Sequence, residues 1–131
     1  IDLSGSRVTI KGTRFFNIAD KAISIGEESY LTGTQLSIQK AGAGIVSKDG
    51  SRATIQKSKI RETKLAGLMA YTKKPIYPAA TLIAKDITFK NSRPNVLVQK
   101  GNKVKLDGTL VEPSEFDVEN LYKTSMKSGL K

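Results

Sequence analysis

Residues 21–56 read KAISIGEESYLTGTQLSIQKAGAGIVSKDGSRATIQ. An apolar strand ending in a small acidic turn, ISIGEES (23–29), returns as IVSKDGS (45–51). That recurrence decides the fold, because a fixed period means similar turns of chain stacked on one another. Working outward, Val8, Leu31, Ala53, Leu82 and Val104 form a first column, followed two residues on by Ile10, Gly33, Ile55, Ala84 and Leu106. Seven residues after the first column stand Phe15, Ile38, Ile60, Phe89 and Val111, and a further apolar strand follows at Ile23, Ile45, Leu68 and Val96.

The period is about 22 residues. It is broken once, at YTKKPIYPAAT (71–81), where six extra residues enter. Pro75, Pro78 and the adjacent Lys73 and Lys74 forbid a regular strand there, so the excess is a loop at a corner. Within the coils, VTI, ISI, ATI, ITF and VLV show the two-residue alternation of strands, with Gly, Asn, Asp and Ser at the corners. Asn17 and Asn91 occupy corresponding turns, where stacked amides can satisfy corner backbone groups. Short strands at this period with no helices between them fit about five parallel coils over residues 1–112. Residues 113–131 are expected to cap the last coil or to lie along its side. Ser114 is the expected helix N-cap, and Phe116, Leu121, Tyr122 and Met126 the apolar cover.

The chain has 131 residues, enough for one domain. It contains no Cys and no His, which excludes disulfides, thiolate metal sites and His-dependent catalysis within the chain. Twenty-two basic against 12 acidic residues give a formal net charge of +10, which draws polyanions. No apolar run reaches the roughly 18 residues of a membrane helix. The chain starts IDLSGS, without Met. This reads as a processed product or a piece of a larger protein, with further coils or domains beside it and a homo-oligomer open to it.

Stacking sets residues one repeat apart at about 5 Å, so Glu27 falls over Asp49 and the two repel by up to about 3 kcal/mol. Lys48, Lys73 or Lys74 can neutralise them, or Glu27, Glu28 and Asp49 can ligate calcium. The inserted loop is the leading binding candidate, since insertions on solenoids map to the binding face. Tyr71 and Tyr77 offer aromatic surface for sugar rings, and Lys73, Lys74 and Lys48 offer ammonium groups for carboxylates or phosphates. Nucleic acid is the weaker polyanion: SIQK, IQKSKIRETK and VQKGNKVK supply cations, but no reading motif is present and the Phe residues sit on inward columns.

Over roughly residues 6–112 the repeat resembles the right-handed parallel β-helix superfamily, the pectate-lyase-like solenoids. DKAISIGEES (20–29), AGIVSKDGS (43–51) and LMAYTKKP (68–75) are similar to a β-helix module of large bacterial exported or cell-surface proteins, some carrying a spore-coat-type kinase domain. The resemblance implies an extracellular or surface location and a menu of uronate lyases, glycoside hydrolases, epimerases and adhesive spikes. A lyase of this type uses Lys or Arg as base beside calcium, roles open here to Lys48, Lys73, Lys74, Arg61 or Arg93 with Glu27, Glu28 and Asp49. The acidic corners are sparser than such lyases carry, and Asp20, Asp49 and Asp86 form no evident hydrolase pair. The expectation is therefore a noncatalytic structural or carbohydrate-associated module that binds anionic polysaccharide, with a uronate lyase or epimerase as the alternative.

Overall fold

The computed structural model describes residues 1–121. Alternating apolar residues drive the strands β1 (Asp2–Ser4), β2 (Arg7–Lys11), β3 (Arg14–Gly26), β4 (Tyr30–Thr34), β5 (Ser37–Lys48), β6 (Arg52–Tyr71), β7 (Thr81–Ser92), β8 (Val96–Val98), β9 (Lys103–Leu106) and β10 (Thr109–Leu110). They pair in parallel, except β10, and build a β-solenoid of about five turns. The first face aligns Val8, Leu31, Ala53, Leu82 and Val104 in register. The second aligns Phe15, Ile38, Ile60 and Phe89. The third aligns Ile23, Ile45, Leu68 and Val96. These columns point inward and form one core, in which Ile23, Ile45, Ile60, Leu68 and Leu82 are wholly buried.

Each corner is made by a column of left-handed residues. Gly12, Gln35, Lys57 and Asp86 turn the chain from first face to second; Asn17, Lys40, Glu62 and Asn91 turn it from second to third. Asn17 and Asn91 therefore share a backbone conformation, which Asn tolerates well, but Lys40 and Glu62 separate them and their amides do not stack on each other. Gly5, Glu27 and Asp49 are left-handed at the third corner. Beside them runs a serine ladder: the Ser6 N–H donates to Ser29 Oγ at 3.0 Å and the Ser29 N–H to Ser51 Oγ at 3.1 Å. Ser29 and Ser51 are buried, and the ladder satisfies corner N–H groups that no strand partner reaches.

Two expectations for the end of the chain are corrected. Val111 does not extend the second-face column: Asp107 and Gly108 reverse the chain into β10, antiparallel to β9, and the Val111 N–H donates to the Val104 carbonyl. Ser114 is not a helix cap either. Its N–H donates to the Val98 carbonyl at 2.8 Å, whereas Asp117 caps the short helix α1 (Val118–Leu121) by accepting from the Asn120 N–H at 3.2 Å.

Phe116, Val118 and Leu121 lie along the side of the stack, on the outer surface of the third face, where they cover Val46, Met69, Tyr71 and Leu97. That outer surface is apolar, so the lateral position buries apolar side chains against one another. Tyr122 and Met126 lie outside the described residues. No helix among the described residues is long and apolar enough to cross a membrane.

Candidate functional site

The inserted loop follows β6 at the third corner and is held from both sides. From the preceding coil, buried Asp49 accepts through Oδ1 from the Lys73 and Lys74 backbone N–H groups, both at 2.8 Å. From the following coil, Gln99 Oε1 accepts from the Thr72 N–H at 2.8 Å and Asn102 Oδ1 from the Ala80 N–H at 2.7 Å. The loop is thus preorganised, as its prolines suggest, and Pro78 rests against Gly50. Ile76 at its tip is 87% exposed, Lys73 and Lys74 are exposed and Tyr77 is half-buried.

Tyr71 is absent from this surface. It is 0% exposed, on the outer side of the third face beneath the C-terminal segment, with its ring edge-on to Phe116 at 6.2 Å. Strand parity places it with Met69 rather than with the loop, and only the position of the C-terminal segment turns that parity into burial.

The corner acids are engaged by protein donors. Glu27 accepts from Ser4 Oγ and from Lys74 Nζ, the latter at 2.8 Å, and the Lys74 hydrogen bond, ahead of that from Ser4, holds its carboxyl below the usual carboxylate range. The same pairing raises Lys74. Glu27 and Asp49 are stacked in the backbone, yet one carboxylate faces the lysine and the other the loop amides, which removes the expected repulsion. Glu28 is exposed beside Gly50. No three carboxylates among the described residues gather as a metal-holding group.

The sign of the pH dependence follows. Because Glu27 is lowered, its contribution to stability is present above the ordinary carboxylate value and is lost as pH falls through the folded value; because Lys74 is raised, its contribution is lost only as pH rises through the folded ammonium value. Replacing Glu27 with Gln should flatten both limbs of a stability profile measured at low salt. A profile unchanged by the substitution would show that this exposed pair contributes nothing to stability.

A concavity of about 610 Å³ lies elsewhere, on the second face and its first corner. Arg14, Lys57, Lys59 and Arg61 supply its cations, and Phe16 and Gln39 its ring and amide. Phe16 corrects the expectation that every Phe faces inward: it is 60% exposed, with Lys40 Nζ at 5.5 Å from the ring centre. Arg61 donates to Gln39 Oε1 at 3.3 Å, Gln39 donates to Glu62 at 2.9 Å, and Arg61 Nε is buried with no hydrogen-bond partner.

The groove belongs to a wider segregation of charge. Outward strand positions of the first face carry Arg7, Lys11, Arg52, Lys85, Lys103 and Lys105; those of the second carry Arg14, Lys59, Arg61 and Lys90. No carboxylate stands on these strand positions among the described residues; Glu62, Asp86 and Asp107 are confined to corners. Two faces are therefore cationic, and the third is apolar where Phe116, Val118 and Leu121 cover it. The arrangement can hold carboxylate, sulfate or phosphate groups against guanidinium and ammonium groups while Phe16 meets an apolar ring face.

Comparison with known proteins finds no matching family model, no similar curated protein and no similar solved structure. Function must be argued from the faces themselves.

Proposed function

We propose that this solenoid is a noncatalytic structural or carbohydrate-associated module that binds an anionic polysaccharide in the groove of Arg14, Phe16, Gln39, Lys57, Lys59 and Arg61. The observation that carries the reading is the one-sided charge: the open faces present cations along the stack, with two exposed aromatic rings, Phe16 and Tyr30, among them. A long anionic chain lying along the first face meets strand-borne cations on every coil but the second, and no strand-borne carboxylate repels it. Nucleic acid fits less well, since Phe16 and Tyr30 stand on different faces, with Arg7 already over the Tyr30 ring, and do not form a run of stacking platforms for successive bases. Membership of the pectate-lyase-like superfamily, a place within a larger exported or surface protein of bacteria, and self-association belong to the same reading.

The test is binding of the chain to a polyuronate, a sulfated glycan and a neutral glucan, with calcium and with chelator. Anionic glycans should bind, the neutral one should not, and affinity should fall with added salt. Lys59→Gln with Arg61→Gln should weaken binding by about tenfold or more. Equal binding to the neutral glucan, or an unaffected double variant, would remove the groove. An unsaturated product in the same assay would replace this reading with the lyase alternative.

A further inference from the structure

The register of the first face sorts its outward side chains into columns. In the column nearest the third corner, Arg7 pairs with Tyr30, Tyr30 with Arg52, Arg52 with Thr81 and Thr81 with Lys103. A cation therefore stands on every second coil, with a hydroxyl-bearing residue between. Arg7, Arg52 and Lys103 are exposed, and none forms an ion pair with a described residue. Arg7 instead lies over the Tyr30 ring, its guanidinium carbon 4.5 Å from the centroid. Beside this column run Thr9, Thr32 and Thr54, aligned and exposed, which flank the cations with hydroxyls. On the second face Arg14 pairs with Ser37, Ser37 with Lys59 and Lys59 with Thr88, so the same alternation recurs in phase with the first. The column nearest the first corner, Lys11, Thr34, Gln56 and Lys85, keeps no such order.

We propose that the ligand of the open faces is a glycan in which a charged sugar alternates with a neutral one, lying along the stack with one disaccharide to two coils. The inference rests on the reading of those faces as a surface for anionic polysaccharide, and it names the polymer. Strands of neighbouring coils are about 4.8 Å apart, so the cations of one column are rooted about 10 Å apart. An extended glycan advances per sugar by nearly the rise of one coil. A charge on every second sugar meets Arg7, Arg52 and Lys103 in turn, and the neutral sugars between them meet Tyr30 and Thr81.

A uronate on every sugar would press carboxylates against Tyr30 and Thr81, where they lose water and gain no cation. The choice of ligand then depends on what the even coils withhold as much as on what the odd coils offer. Long arginine and lysine stems let each charged head shift along the face. They do not change the supply of cations in the column, which is one for each pair of coils.

The experiment is calorimetric titration of the chain, at constant ionic strength, with two hexasaccharides: one in which glucuronate alternates with N-acetylglucosamine, and one made of uronate throughout. Charge density alone favours the second. The alternating oligosaccharide should nevertheless bind about tenfold more tightly. Arg52→Gln, which removes the middle cation and alters an exposed side chain only, should weaken the alternating ligand by about tenfold. Tyr30→Lys with Thr81→Lys fills the even coils and should reverse the preference. Equal or tighter binding of the homo-uronate to the unaltered chain would overturn the inference and leave the anionic-polysaccharide reading standing; no binding of either would overturn both. An alternating ligand indifferent to Arg52→Gln would also overturn it, whether or not the double lysine variant folds.

Discussion

Replacing Gly44 with alanine is expected to abolish folding, at a cost beyond about 3 kcal/mol. A Cβ at Gly44 would lie 2.2 Å from the Gly67 carbonyl oxygen, in the coil that follows. That oxygen belongs to backbone, and hydrogen-bonded strands on both sides set the spacing between coils at about 4.8 Å. Gly67 has no room to retreat, because its own Cβ position is 2.7 Å from the Phe89 ring and 2.8 Å from the Asn95 carbonyl. Gly12 is the control. It is left-handed at φ 66° with nothing within 4 Å of a Cβ, so Gly12→Ala should cost only about 1 kcal/mol of backbone strain. Denaturant unfolding distinguishes the two, and similar midpoints would mean that the coils are not in backbone contact at Gly44.

Asp49→Ala should cost about 2–4 kcal/mol, felt first in the loop rather than throughout the stack. The buried carboxylate accepts from two backbone N–H groups, and alanine leaves both without a partner. Asp49 also has φ 51°, which alanine adopts poorly. Asp49→Asn keeps an acceptor oxygen and a residue tolerant of that backbone, so it should lose much less. The readouts are amide exchange at Lys73 and Lys74 and proteolytic cleavage between 72 and 80, both expected to rise sharply in the alanine variant. Unchanged exchange at those two amides would show that Gln99 and Asn102 suffice to hold the loop.

The stacking register was legible because it is written in the period. Val8, Leu31, Ala53, Leu82 and Val104 pair as their spacing predicts, and the insertion stands where the period lengthens. Strand alternation fixes which residues face inward, and equal repeats fix which of them meet.

The binding faces were not legible for a related reason. Arg14, Lys59 and Arg61 each look like ordinary outward strand residues, and they become a groove only when three coils are aligned and Phe16 is seen between them. Tyr71 was misplaced because its surroundings depend on a segment more than forty residues later in the chain. Ser114 was the expected cap, and its contact with Val98 excludes it from that role, which Asp117 takes.

The C-terminal segment changes how the molecule can come apart. A bare solenoid holds each coil by its neighbours alone, so it can fray one coil at a time from either end. Here Phe116, Val118 and Leu121 form one apolar cluster with Val46, Met69, Tyr71 and Leu97, side chains from three successive coils. Those coils share a clasp and should open together. A chain synthesised from its N-terminus gains that clasp only after the coils it ties are made, so cooperativity among them should be acquired after the coils themselves.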